Sequence, residues 1–134
     1  MAQEQKVWYK SSDGWELGTI LSEDSDSNSV VILSSKEGSG GKEVTVAREL
    51  TCPSDPTHFE VDMDDLCGMN HVHEASILHV LQERYKADKI YTSIGTVLLS
   101  INPYKEIEYE RSDIEDRPHL NTIAKAAYTV RYKI

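Results

Sequence analysis

The run Val97-Leu98-Leu99-Ser100-Ile101-Asn102-Pro103 restricts the fold more than any other part of this 134-residue chain. Val97, Leu98, Leu99 and Ile101 make a nearly unbroken apolar stretch of strand formers. Such continuity suits a strand buried on both faces, as in the parallel core of an α/β protein. Asn102-Pro103 ends it abruptly, because proline has no N–H for a ladder and holds its predecessor extended. The break falls at the carboxyl end of the strand, where open α/β sheets place their ligands. Asn102 and Lys105 bring polar groups to that point, so residues 91–105 read as a candidate binding element. The plainer alternative is a strand terminator with no ligand. A strand built for double burial leaves backbone edges unpaired unless neighbours flank it. Only one such strand is evident after residue 66, with two helices to cover it. Residues 67–134 are therefore expected to dock on the preceding segment, pair between chains or stay partly disordered.

The two helices are read from spacing. Ala75, Ile77, Leu78, Leu81 and Tyr85 recur at helical steps and predict a helix over about 71–86, with Asn70 as N-cap and Glu83, Arg84 and Lys86 toward solvent. Pro118 suits a first helical position, and Leu120, Ile123, Ala124, Ala127 and Tyr128 form the stripe of a second helix. The small Ala124 and Ala127 would permit close packing on a sheet. Residues 6–50 read differently. Strand candidates at 7–9, 15–21, 30–33 and 44–46 alternate with the turn signals Ser12-Asp13-Gly14, Ser22 to Ser29 and Gly38 to Gly41. Short strands at this spacing predict a small barrel or sandwich, with Trp8 and Trp15 as its largest anchors. Residues 53–66, with Pro53, Pro56 and a crowd of carboxylates (Asp55, Glu60, Asp62, Asp64, Asp65), read as a solvated acidic linker.

Charge narrows the partners. A formal net charge of −9 supplies no basic stripe for nucleic acid or anionic lipid. Cys52 and Cys67 are too few for a secreted disulfide framework, and neither a signal peptide nor a membrane span is visible. The expectation is a cytoplasmic protein. Asp24-Ser25-Asp26-Ser27-Asn28 imitates the start of a calcium loop, but Ser29 and Ser35 stand where glycine and glutamate are needed. Gly38-Ser39-Gly40-Gly41-Lys42 lacks the first glycine and the Ser or Thr of a phosphate loop, and no helix follows. Cys67, His71 and His73 lack a fourth ligand at any known zinc spacing. No metal site is expected.

Taken as an ordered set, Glu74-Ala75-Ser76-Ile77-Leu78-His79-Val80-Leu81-Gln82-Glu83-Arg84-Tyr85, then Ile90-Tyr91-Thr92, then Ser100-Ile101-Asn102-Pro103-Tyr104-Lys105 resembles the start of a myosin motor domain. The likeness covers 66–105 well and reaches weakly to Tyr128. The order Val7-Trp8, Gly14-Trp15, Gly18-Thr19-Ile20, then a strand and a second hairpin is similar to the SH3-like barrel that precedes many myosin motors. The resemblance implies an all-β SH3-like barrel (1–52), the acidic linker (53–66) and an incomplete α/β motor segment (67–134) holding two helices and at least one central-sheet strand. It also implies an ATP-dependent, actin-based, cytoskeleton-associated motor, with Asn102, Pro103, Lys105 and Tyr109 on the adenine side of the nucleotide. ATP and Mg²⁺ would serve the complete motor. No Gly-x-x-x-x-Gly-Lys-Ser/Thr occurs in the 134 residues, so the fragment is expected neither to bind nucleotide tightly nor to hydrolyse it. Tyr109 lies seven positions beyond Asn102, where the family usually has a tyrosine at eight. The competing reading is a non-enzymatic interaction module whose barrel, through Trp8, Tyr9 and Trp15, binds a peptide or a light-chain-like partner.

Overall fold

The structure, a computed structural model, describes residues 5–36, 41–60, 62–110 and 117–132. Five strands make one antiparallel sheet: β1 (Lys6–Ser11), β2 (Gly14–Asp24), β3 (Ser29–Ser34), β4 (Glu43–Ala47) and β5 (Thr51–Pro53), in the order β4-β3-β2-β1-β5. That is the strand order of an SH3-like barrel, although β4 and β5 do not pair and the barrel is not closed. β5 was not evident in the sequence; it is a three-residue strand ending in proline, which only an edge tolerates. Strand alternation explains the core. Val7 and Tyr9 of β1 point to one face and meet Val30 and Ile32 of β3, with Ile20, Val44 and Val46 packed around them. The cross-strand pairs Ile20↔Ile32, Ile32↔Val44 and Val30↔Val46 lie on this face. The turn after Asp24 is a hairpin held by its carboxylate, which accepts from the Asp26 N–H at 3.0 Å. The Gly38–Gly40 part of the β3–β4 turn lies outside the described residues.

Trp8 faces the other way and is nonetheless buried. Its neighbours are His58 and Phe59 of a 3-10 turn (Pro56–Phe59) and His79 of α1 (Glu74–Lys86). Tyr9 is barrel core, Trp8 joins the barrel to that 3-10 turn and α1, and Trp15 on β2 is half-buried.

The acidic stretch is more than a solvated crossing. Asp55 caps the Pro56–Phe59 turn, accepting from the Thr57 N–H and hydroxyl at 2.9 and 2.7 Å. Asp65 accepts from the Cys67 N–H at 3.0 Å and the Gly95 N–H at 3.1 Å. These hydrogen bonds, Thr57's for Asp55 and chiefly Cys67's for Asp65, hold both carboxyls below the usual carboxylate range. Asp64 pairs with Arg84 and Asp62 with Lys89. Met63 and Leu66 from the same stretch join Met69 and Val80 in a second core, flanked by Ile77, Ile94 and Leu99.

α1 begins three residues later than its periodicity suggests. Its N-cap is His73, not Asn70: the His73 ring accepts from the Ser76 N–H while the Ser76 hydroxyl accepts from the His73 N–H. The buried face carries Ala75, Ser76, Val80 and Arg84, and Leu78 and Tyr85 stay exposed. Arg84, expected in solvent, is 4% exposed because three acceptors surround it.

β6 (Tyr91–Ile94) and β7 (Val97–Ser100) form a two-stranded antiparallel hairpin. Gly95 (φ 60°) occupies the first turn position that a type II′ hairpin reserves for glycine. The expectation of double burial for the run from Val97 is therefore not met among the described residues. Among them β7 pairs with β6 alone, and Val97 is 55% exposed. α2 (Leu120–Tyr132) starts two residues after Pro118, with the His119 ring accepting the Asn121 N–H at 3.0 Å. Leu120, Ile123, Ala124, Ala127 and Tyr128 are all exposed, so the stripe is present but is not packed on a sheet. Among the described residues no helix is long and apolar enough to cross a membrane.

Candidate functional site

The Ile101 N–H donates to the Ile90 carbonyl at 3.0 Å, one bond beyond the β6–β7 ladder, so the chain leaves the hairpin at Asn102. Pro103 cannot continue a ladder, and the turn closes locally instead. Asn102 Oδ1 accepts the Tyr104 N–H at 2.9 Å, an Asx turn. The turn places Tyr104 at φ 53° with 88% of its surface exposed. The side-chain –NH2 of Asn102 has no partner among the described residues and stands at the surface.

Two contacts seat this turn on the end of α1. The Tyr85 hydroxyl lies 3.4 and 3.3 Å from the carbonyl oxygens of Asn102 and Pro103. The Lys105 ammonium meets Asp88 Oδ1 at 2.6 Å. Asp88 (φ 60°) sits just beyond the helix in the left-handed conformation that Asp tolerates better than most residues. Both members of the ion pair are about half exposed, so it positions Lys105 while adding little stability. The ammonium is thus oriented yet available to an anionic or polar partner.

Three adjoining hollows surround the turn. A shallow apolar one of about 690 Å³ is floored by Leu78, Leu81, Tyr85 and Ile101 and edged by Asn102 and Tyr104. A second, of about 370 Å³, lies against Pro103 and Lys105 and shares Tyr85 with the first. The third, of about 200 Å³, contains Tyr109 and shares Asp88 and Ile90 with the second. Tyr109 stacks edge-on with His119 (centroids 4.9 Å) and at 6.2 Å with Tyr91, which ties the segment after the turn to β6 and to the approach to α2. Most of the connection from Tyr109 to Pro118 lies outside the described residues.

Asn102, Pro103 and Lys105 thus share one turn, while Tyr109 belongs to the neighbouring hollow. Tyr85 and Asp88, which position the turn, were not singled out in the sequence for that role. Tyr85 reads there as core because it shares the helical stripe, and Asp88 as an ordinary residue after a helix. Chemically, the arrangement offers an apolar floor with a carboxamide donor at its edge and an ammonium in the adjoining hollow.

The sequence model of the family described as "Myosin head (motor domain)" matches residues 63–132, just over half of the chain. "Myosin-2" of Arabidopsis thaliana is 35% identical over 132 residues, which is 92% of this chain and 10% of that protein. "Myosin-1" of the same plant is 36% identical over 129 residues, 90% of this chain and 10% of that protein. "Myosin-H heavy chain" of Dictyostelium discoideum is 30% identical over 135 residues, 92% of this chain and 7% of that protein. The chain therefore spans about a tenth of the length of the curated relatives it matches.

Proposed function

Because this chain belongs to the myosin motor family, we propose that it forms the amino-terminal part of an ATP-driven motor that moves on actin filaments and associates with the cytoskeleton. In that setting the Asn102-Pro103-Tyr104-Lys105 turn borders the adenine side of the nucleotide, and Tyr109 contributes from the adjoining hollow. The observation that carries the reading is the turn itself. It leaves a hairpin beside an apolar floor, with the Asn102 carboxamide at its rim and the Lys105 ammonium in the adjoining hollow. These residues fit one wall of a nucleotide crevice. They supply binding and orientation of the base; the Mg²⁺ that accompanies ATP in the complete motor supplies charge neutralisation at the phosphates. The 134 residues include no Gly-x-x-x-x-Gly-Lys-Ser/Thr loop to cradle those phosphates. Neither tight nucleotide binding nor turnover is assigned to residues 1–134 by themselves. The barrel acts as an accessory module.

A chimera tests the assignment. This chain replaces the matching segment of a myosin head, and actin-activated ATP turnover is measured. Turnover is expected to survive, and Lys105→Ala in the chimera is expected to raise KM for ATP about ten-fold with little change in kcat, as for loss of one charge-assisted contact. A KM indifferent to Lys105→Ala removes the turn from the nucleotide site. Mg²⁺-dependent ATP turnover by the isolated 134-residue chain would show that the parts held to be missing are not needed.

A further inference from the structure

Three histidines gather where the barrel meets α1, and two of them are wired so that only one protonation state fits. His58 is 1% exposed. Its Nδ1 accepts the indole Nε1–H of Trp8 at 3.1 Å and the backbone N–H of Asp55 at 3.4 Å. Its Nε2 lies 2.7 Å from the Asn70 carbonyl oxygen. An indole N–H can only donate and a carbonyl can only accept, so the ring must be neutral with its proton on Nε2. His73 has the same arrangement. Nδ1 accepts the Ser76 N–H at 3.2 Å and Nε2 donates to the Pro53 carbonyl at 2.9 Å. The two rings meet edge to face at 5.4 Å. His58 thereby fastens β1, through Trp8, to the segment before α1, and His73 fastens the first turn of α1 to β5.

We propose that His58 and His73 form a proton-released clasp between the barrel and the helix that leads to the candidate site. A second proton on either ring would set an N–H against the N–H it now receives. At His58 this strands the Trp8 indole and opens the capping box of the Pro56–Phe59 turn. At His73 it removes the N-cap of α1 and places a cation at a helix N-terminus, where the backbone dipole opposes it.

One carboxylate acts against this. The charge of Asp55 is attracted to that of a protonated His58, but Asp55 already accepts from Thr57 and Asn70 and makes no ion pair with the ring. Glu74 follows His73 on α1 and lies near Cys52 of β5. The third histidine, His79, stacks on Trp8 and Phe59 at 5.1 and 5.0 Å. Glu16 and Lys36 line the hollow that Trp8, Phe59 and His79 share, and Glu83 and Lys86 act on His79 along α1. Burial holds the His79 imidazole below its ordinary value, so His79 favours the closed, uncharged state as well. Linkage sets the sign. His79, which binds a proton more readily once released from burial, stabilises the closed form above the ordinary imidazole value of about 6.5, and that contribution is lost as pH falls below it.

The test is a pH titration of the intact 134-residue chain by ¹⁵N NMR, following the Trp8 indole N–H and the ring nitrogens of His58 and His73. At about pH 7.5, roughly one unit above the imidazole range, both rings should carry the proton on Nε2. By about pH 5.5 the protection of the Trp8 indole N–H, taken relative to its intrinsic exchange rate at each pH, should fall at least about ten-fold, as for one lost buried hydrogen bond, while the barrel amides of Val30 and Ile32 keep theirs. His73→Asn, which supplies a strong neutral N-cap, should remove part of the pH dependence and keep the fold. If that variant does not fold, the titration of the parent chain still decides. An Nδ1–H tautomer at His58, an unchanged indole protection factor down to about pH 5.5, or simultaneous loss of protection at Trp8 and at the barrel amides would each overturn the clasp.

Discussion

Replacing Arg84 by alanine is expected to destabilise the folded chain by about 3 kcal/mol, the lower end of what breaking a buried ion pair costs. Each of the three guanidinium nitrogens makes one contact. Nε donates to Thr92 Oγ1 at 2.8 Å, one terminal nitrogen to Asp64 Oδ1 at 2.7 Å, and the other to the Tyr91 carbonyl at 2.8 Å. The cost does not come from the attraction of the ion pair, because desolvating two charges consumes most of that gain. It comes from the acceptors left behind. Thr92 is 1% exposed and has no route to water, whereas Asp64 is about one-third exposed and can rehydrate. That difference places the cost low in the range. Arg84→Lys keeps the charge but not the planar fork, so it should recover less than half of the loss. Urea midpoints measure this, with Lys86→Ala, an exposed change on the same helix, as reference. Equal midpoints for Arg84→Ala and Lys86→Ala would mean that Arg84 does not hold α1 to β6. The site would respond too. Arg84 fixes the last turn of α1, and from that turn Tyr85 and Asp88 seat the Asn102–Lys105 turn.

Arg84 also marks the boundary of what the sequence makes legible. An arginine inside a helical pattern reads as solvent-facing, since charge is rarely buried. Nothing local reveals that Asp64, Thr92 and the Tyr91 carbonyl converge on it from three separate segments. Local signals did well where the deciding physics is local. The turn signals Ser12-Asp13-Gly14 and Ser22 to Ser29 bounded the barrel strands, and Pro103 marked the end of β7. They failed where a partner is distant. Asn70 is the better N-cap by propensity, yet His73 takes the position because its second nitrogen reaches Pro53. Val97 to Ile101 carries the composition of a doubly covered strand, but burial on a second face requires polypeptide to supply it, and among the described residues β6 alone pairs with β7. The apolar positions Leu78, Tyr85, Leu120 and Ile123 behave in the same way: the pattern is written in the helices, and these side chains remain exposed. The turn at Asn102 was legible because its Asx geometry and its proline are properties of neighbouring residues. The separation of Tyr109 into its own hollow was not, since it depends on Tyr91 and His119.

Gly18→Ala should destabilise the barrel by about 2 kcal/mol, within the range for overpacking a filled interior. The sign is informative, because glycine in a strand is ordinarily a liability. Where the native backbone allows a side chain, Gly→Ala stabilises by about 0.4–1 kcal/mol through the unfolded state. Gly18 does not adopt the left-handed conformation, so backbone freedom is not why glycine is there. Space is. A methyl at this position of β2 would overlap the Ile32 side chain, lie 2.9 Å from the Leu33 carbonyl oxygen and 3.2 Å from Tyr9 Cε1. Ile32 and Tyr9 are 0% and 1% exposed and have nowhere to move, and the Leu33 backbone is fixed by its pairing with Thr19. Gly68 provides the contrast, since its added methyl would meet only the flexible thioether of Met63, at 3.3 Å. Thermal melts of the two variants should therefore separate, with Gly18→Ala well below the parent chain and Gly68→Ala close to it. A Gly18→Ala protein as stable as its parent would place β2 in a different register against β3, because in the present one the Leu33 carbonyl leaves no room for the substitution.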